Sequence, residues 1–293
     1  MNIRNILITL CLLAVFPLTV SAKVLTVLPG KSIQEKIDEA EDNDFVAIFG
    51  GTYNENLTIN NKIIRLVEVK GQEVILNGNL TFTNCSTVPP LEGFKFKGKK
   101  NLAFLNCEGE ILLRNIDREE GNRIEFSSEN GRLVIDSSTI NFLNVDRGSA
   151  EILNSDVQIE VNQVGGSLTA VKSNIGRINT QSDTPKTVLY RCTISETDLN
   201  WDSHYRSKRV WIGYCTIHSR RSWFRDTRDG AKHFVVGSNF DTKGGQETHI
   251  CIDNFQKSSF SIVKRDFVPS SSRLKLSTQR CKAEVLSPYT PPT

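Results

Sequence analysis

The sequence has no Cys-x-x-Cys and no His–Cys cluster with metal-ligand spacing, so no metal is expected and no cofactor is called for. Beyond one run at its N-terminus it has no long apolar stretch, which leaves nothing to span or anchor in a membrane. Net charge is only +3, too little to imply a nucleic-acid partner. Helical periodicity is nearly absent as well. One short amphipathic segment stands near the start, and strand-like runs follow it for the rest of the chain.

The N-terminal run reads as a targeting segment. Arg4 supplies a positive start, Ile6 to Val20 an apolar stretch, and Val20-Ser21-Ala22 a small-residue cleavage site. A mature chain beginning near Lys23 is therefore expected, secreted or periplasmic. Of seven cysteines, Cys11 lies in this leader; Cys85, Cys107, Cys192, Cys215, Cys251 and Cys281 remain, an even number in an export context that permits disulfides.

The stretch from Ser32 to Gly78 sets the organisation. Ser32 followed by Glu35 is a capping-box signature. Ile33, Ile37 and Ala40 then share one face of a short helix. Phe45 to Phe49 is an apolar strand ending at Gly50-Gly51, and Leu57-Ile59, Ile63-Leu66 and Val74-Leu76 are further strands between Asn, Lys and Gly turns. A helix followed only by strands suits a lid over the open end of a solenoid, whose terminal layer needs cover. From Thr81 on, a unit of roughly 17 to 23 residues recurs, the period of a solenoid coil. Its fragments align Ser138, Ser155, Ser173, Cys192, Cys215 and Ser238 at one position, where small side chains would bend inward and stack. Cys192 and Cys215 fall on adjacent coils, as do Cys85 and Cys107. A spacing of ~4.8 Å allows either a disulfide or two stacked thiols.

SIQEKIDEAEDNDFVAIFGGTYNENLTINNKIIRL, with its Gly51-Thr52-Tyr53 turn and Glu55-Asn56-Leu57 strand start, resembles the first coils of the pectin-lyase-like superfamily. The resemblance implies an all-β fold: a single-stranded, right-handed parallel β-helix with an N-terminal helical cap. The expected division is a signal peptide over 1–22, the β-helix over 23–268, and a last short strand with a disordered tail over 269–293. That superfamily holds lyases, esterases, hydrolases, epimerases and non-catalytic binders, so it fixes no function.

Chemistry is concentrated in Trp201 to His233. All three tryptophans, Trp201, Trp211 and Trp223, lie here with Tyr205 and Tyr214, and so do His204, His218 and His233. Arg206, Lys208, Arg209, Arg220, Arg221, Arg225, Arg228 and Lys232 outnumber Asp202, Asp226 and Asp229. On successive coils these residues are expected to make one basic and aromatic face. Arginines grip carboxylates bidentately and aromatic rings stack on sugars, so the expected partner is an acidic polysaccharide. The substrate-binding candidates are Trp201, Asp202, Trp211, Arg220, Arg221, Trp223 and Arg225.

Asp202-Ser203-His204-Tyr205-Arg206-Ser207 is also similar to the Asp-Pro-His-Asp-Arg-Ser motif of alginate C5-epimerases, themselves parallel β-helices. Asp202, His204 and Arg206 match; Ser203 replaces the proline and Tyr205 the second aspartate. No histidine precedes Asp202 where that family carries its base. The resemblance implies a uronate epimerase or β-eliminating lyase with His204 as base, Arg206 neutralising the carboxylate and Tyr205 as proton donor. The motifs of pectin methylesterases and polygalacturonases are missing. The readings are thus a polysaccharide-binding β-helix, that enzyme, or a structural or surface-interaction solenoid. They divide on whether rings and cations share one exposed face. Oligomeric state is left open by the sequence.

Overall fold

The computed structural model describes residues 21–277 except 99–100, 119–122, 182–185, 196–202, 206–208, 219–220, 226–231, 237, 242–247, 254–258 and 264–273. Strands make up 61% of it and helix 4%, wound as a parallel β-solenoid of about nine turns. The expected all-β solenoid with a helical cap is what the chain forms. All but the last two residues of the expected leader, and the tail beyond Ser277, lie outside the described residues; Leu274–Ser277 is the expected last strand.

The cap, α1 (Ile33–Glu39), buries Ile33 and Ile37 over the first coil, with Ala40 buried beside them. Ser32 caps it as its sequence predicts, accepting the Glu35 N–H at 3.2 Å. The rest of the first turn is served from the next coil. One carboxylate, Glu55, accepts the Ser32 hydroxyl at 2.7 Å, the Ile33 N–H at 2.7 Å and the Gln34 N–H at 3.3 Å. At the other end the Lys62 ammonium donates to the carbonyls of Ile37, Asp38 and Ala40 at 3.1, 2.9 and 2.9 Å. An anion at the N-terminus and a cation at the C-terminus complement the helix dipole and satisfy its orphan groups. Seven residues would not hold a helix in isolation. Here both ends are riveted to the solenoid.

Parallel register sorts the strands into three columns. One runs through Gly51–Tyr53, Val74–Leu76 and Lys95–Phe96 to Thr193–Ser195, Thr216–His218 and Asn239–Asp241 (column A). The second runs through Leu57–Asn60, Leu80–Thr83 and Asn101–Leu105 to Ser203–Tyr205, Arg221–Arg225 and Thr248–Asp253 (column B). The third includes Gly109–Arg114, Ser167–Val171, Thr187–Tyr190, Arg209–Gly213 and Lys232–Val236 (column C). Alternate residues point inward: Leu102 and Phe104, Ile124 and Phe126, Leu143 and Val145 are all at most 1% exposed. Phe82 and Phe104, on adjacent coils, stack at 5.2 Å. Stacked like on like, these side chains form one continuous core.

Two corners carry ladders of small residues. Between columns C and A, the expected set holds: Ser138, Ser155, Ser173, Cys192, Cys215 and Ser238 are all buried. Each hydroxyl serves two coils. Ser155 Oγ donates to the Leu153 carbonyl at 2.6 Å and accepts the Ser138 N–H at 3.1 Å; Ser173 repeats this with the Val171 carbonyl and the Ser155 N–H. Thiols substitute for hydroxyls in the same scheme, Cys215 Sγ accepting the Cys192 N–H at 3.4 Å. Cys85 and Cys107 continue to Ser128 at a different corner, between columns B and C. All four are free thiols, so of the two arrangements the spacing allows, the chain adopts stacked thiols.

Candidate functional site: an aromatic and basic corner

The stretch from Trp201 to His233 does not form a single face. It winds through column B at Ser203–Tyr205, column C at Arg209–Gly213, column A at Thr216–His218 and column B again at Arg221–Arg225. Trp211 therefore falls in a different column of the solenoid from His204 and Trp223. Trp201, Asp202, Arg206 and Arg220 lie outside the described residues. His204 and Trp223 are register partners one coil apart, and Arg221 and Arg225 share the Trp223 strand. Tyr205 requires a correction. It is 0% exposed, in line with Phe224 and one residue out of phase with His204, so it packs inside and is no surface proton donor.

Column B leads to His204 along a polar row that sequence reasoning missed. Glu125, Asn144, Asn162 and Asn179 are in register on successive coils, and Asn179 pairs with His204. Two residues earlier runs a second row, Arg123, Phe142, Glu160 and Arg177. Arg123 stacks over the Phe142 ring at 5.7 Å, and Arg177 meets Glu160 at 2.7 Å with side chains only 17% and 13% exposed. The signal was present: Leu143-Asn144, Val161-Asn162 and Ile178-Asn179 repeat an apolar–Asn step.

Among the described residues, column C carries the densest aromatic group. Trp211 stacks on Tyr190 at 5.7 Å with planes 28° apart, and Tyr214 meets Tyr190 edge-on at 5.9 Å. Gly213 makes the stack possible. Tyr190 is its register partner, and a Cβ on Gly213 would sit 2.4 Å from the Trp211 ring, which lies across that bare position. Arg191 places its guanidinium 5.2 Å from the Tyr190 centroid, and Arg209 is exposed two residues before Trp211. Tyr214 is 53% exposed. The group thus combines a rigid ring platform with cations beside it, which is the chemistry that recognises a sugar bearing a carboxylate.

The chain matches no family model, no curated protein and no solved structure. Its site must be judged on its own chemistry.

An open groove of about 800 Å³ follows the corner between columns B and C, over Gly109, Gly131, Gly148 and Gly166. Two ion pairs lie on its rim, Arg132 with Glu110 and Arg147 with Asp146. Among the described residues no three His, Cys, Asp or Glu side chains are grouped to hold a metal ion, and no helix is long and apolar enough to cross a membrane.

Proposed function

We propose that the protein is an exported, right-handed, pectin-lyase-like β-helix that binds acidic polysaccharide. The observation that carries this reading is the Tyr190–Trp211–Tyr214 ring group with the Arg191 guanidinium over the Tyr190 ring. Ring stacking accepts the apolar side of a pyranose, and a guanidinium held against the ring group fits a uronate carboxylate. The binding face is accordingly centred on Trp211. Retention on immobilised alginate, polygalacturonate and a neutral glucan tests it. Wild-type protein is retained on the acidic polymers, and Trp211→Ala loses about 1–3 kcal/mol of that affinity, the worth of one ring stack. Gly213→Ala does the same without touching a ligand, because the new methyl displaces the Trp211 ring. Unchanged retention in both variants refutes the site.

A second reading, a uronate epimerase or β-eliminating lyase, is favoured by the register of His204 with Trp223 at the end of the asparagine row. A base and a sugar-stacking ring on adjacent coils suit proton abstraction from a bound uronate. Unsaturated products or inverted C5 centres, lost in His204→Ala, would establish it; their absence leaves binding alone.

A further inference from the structure

The corner that follows each column C strand holds its leading residue in the left-handed region on every coil where it is described. Gly93, Asn115, Ser137, Asn154, Lys172, Arg191 and Tyr214 have φ of 81°, 51°, 50°, 48°, 50°, 53° and 54°. The ladder enforces it: the Asn154, Lys172 and Arg191 amides donate to the Val171, Tyr190 and Gly213 carbonyls of the next coil at 3.1, 2.9 and 2.9 Å. Glycine and asparagine tolerate this conformation, whereas long and aromatic side chains adopt it at a conformational cost. The early coils mostly use the tolerant residues. Three successive later coils do not.

Those three coils present Lys172, Arg191 and Tyr214 in a line along the axis, at the ~4.8 Å repeat of paired strands. Lys172, Arg191 and Tyr214 are all exposed. Some cations on the outer surface are paired, as Arg132 with Glu110 and Glu151 and Arg177 with Glu160. Among the described residues neither Lys172 nor Arg191 has a carboxylate partner. Backbone strain retained where simpler residues would fit marks a position held for function.

We infer that this column, Lys172–Arg191–Tyr214, is the track along which an acidic polysaccharide lies, parallel to the solenoid axis and with successive carboxylates meeting successive coils. This rests on the polysaccharide reading above and adds its direction and one further cation, Lys172, on the coil before Arg191. The aromatic group of Tyr190 and Trp211 flanks the track at its Arg191 and Tyr214 rungs.

Lys172→Asn restores the residue that Asn154 supplies one coil earlier, and it separates the alternatives. The expected result is a thermal midpoint no lower than wild type, together with about tenfold weaker binding to polygalacturonate, the loss of one charge-assisted contact. Binding of galacturonate oligomers by the wild type strengthens from one to three units and levels off beyond. A lowered midpoint makes Lys172 a packing residue and overturns the inference. So does undiminished binding in Lys172→Asn alongside loss in Trp211→Ala, an outcome that leaves the polysaccharide reading standing. Wild-type protein that binds neither polygalacturonate nor alginate overturns both.

Discussion

Replacing Glu55 with alanine removes the anion that holds the helical lid. Its carboxylate accepts three donors, two of them at 2.7 Å, and two of the three are orphan amides of the first turn of α1. Charge-assisted hydrogen bonds contribute about 1.5–3 kcal/mol each, and the partial exposure of the site places the pair near the lower bound. A loss of roughly 2–4 kcal/mol follows, with Glu55→Gln costing about half because one oxygen still accepts. A solenoid behaves as a row of coupled coils, so the damage is local at first. Hydrogen exchange reads it directly. The amides of Ile37 to Ala40 lose about 30-fold or more of their protection, while those of Ile152 and Ala170 keep theirs. Protection at Ile37 within a factor of two of wild type would refute the claim that Glu55 rivets the lid.

A Cβ at Gly148, where φ is +75°, would lie 2.1 Å from the Ser128 carbonyl oxygen and 2.6 Å from that of Gly131, so Gly148→Ala costs about 3 kcal/mol or more and shows as a sharply lowered denaturation midpoint. Burial, aided by Glu92, raises the Glu68 pKa above its ordinary 4.5. A raised carboxylate penalises the fold when ionised, and the penalty disappears as pH falls through the folded and then the unfolded value. Glu68→Gln therefore raises the melting midpoint at pH 7 and changes it little near pH 4; a lower midpoint at pH 7 contradicts the assignment.

The coil repeat was legible because the inward small residues recur with their flanking apolar positions. Ser138 through Ser238 could be aligned by eye, and their hydrogen bonds explain why serine and cysteine interchange there. The side of the solenoid on which a residue lands was not legible. His204 and Trp211 are seven positions apart, but their strands pair in different columns. Parity within a three-residue strand was equally hidden: only its alignment with the neighbouring coils turns Tyr205 inward and leaves His204 in line with Asn179. The left-handed corner was invisible for a different reason. Asparagine at Asn115 and Asn154 suggests it, but Lys172, Arg191 and Tyr214 carry no such hint, because the ladder overrides their local preference. Glu55 and Lys62 showed only as strand and turn residues, and their partners on α1 lie one coil away in space and about twenty residues away in sequence.

Acidic polysaccharide recognition is tested most directly by equilibrium binding of the wild-type protein to polygalacturonate at low and physiological salt, with a neutral glucan as reference. Binding that is strong at low salt, weakens as salt screens Lys172 and Arg191, and is absent for the neutral polymer is the predicted result. Equal, salt-independent retention on both polymers, or none on either, would contradict it.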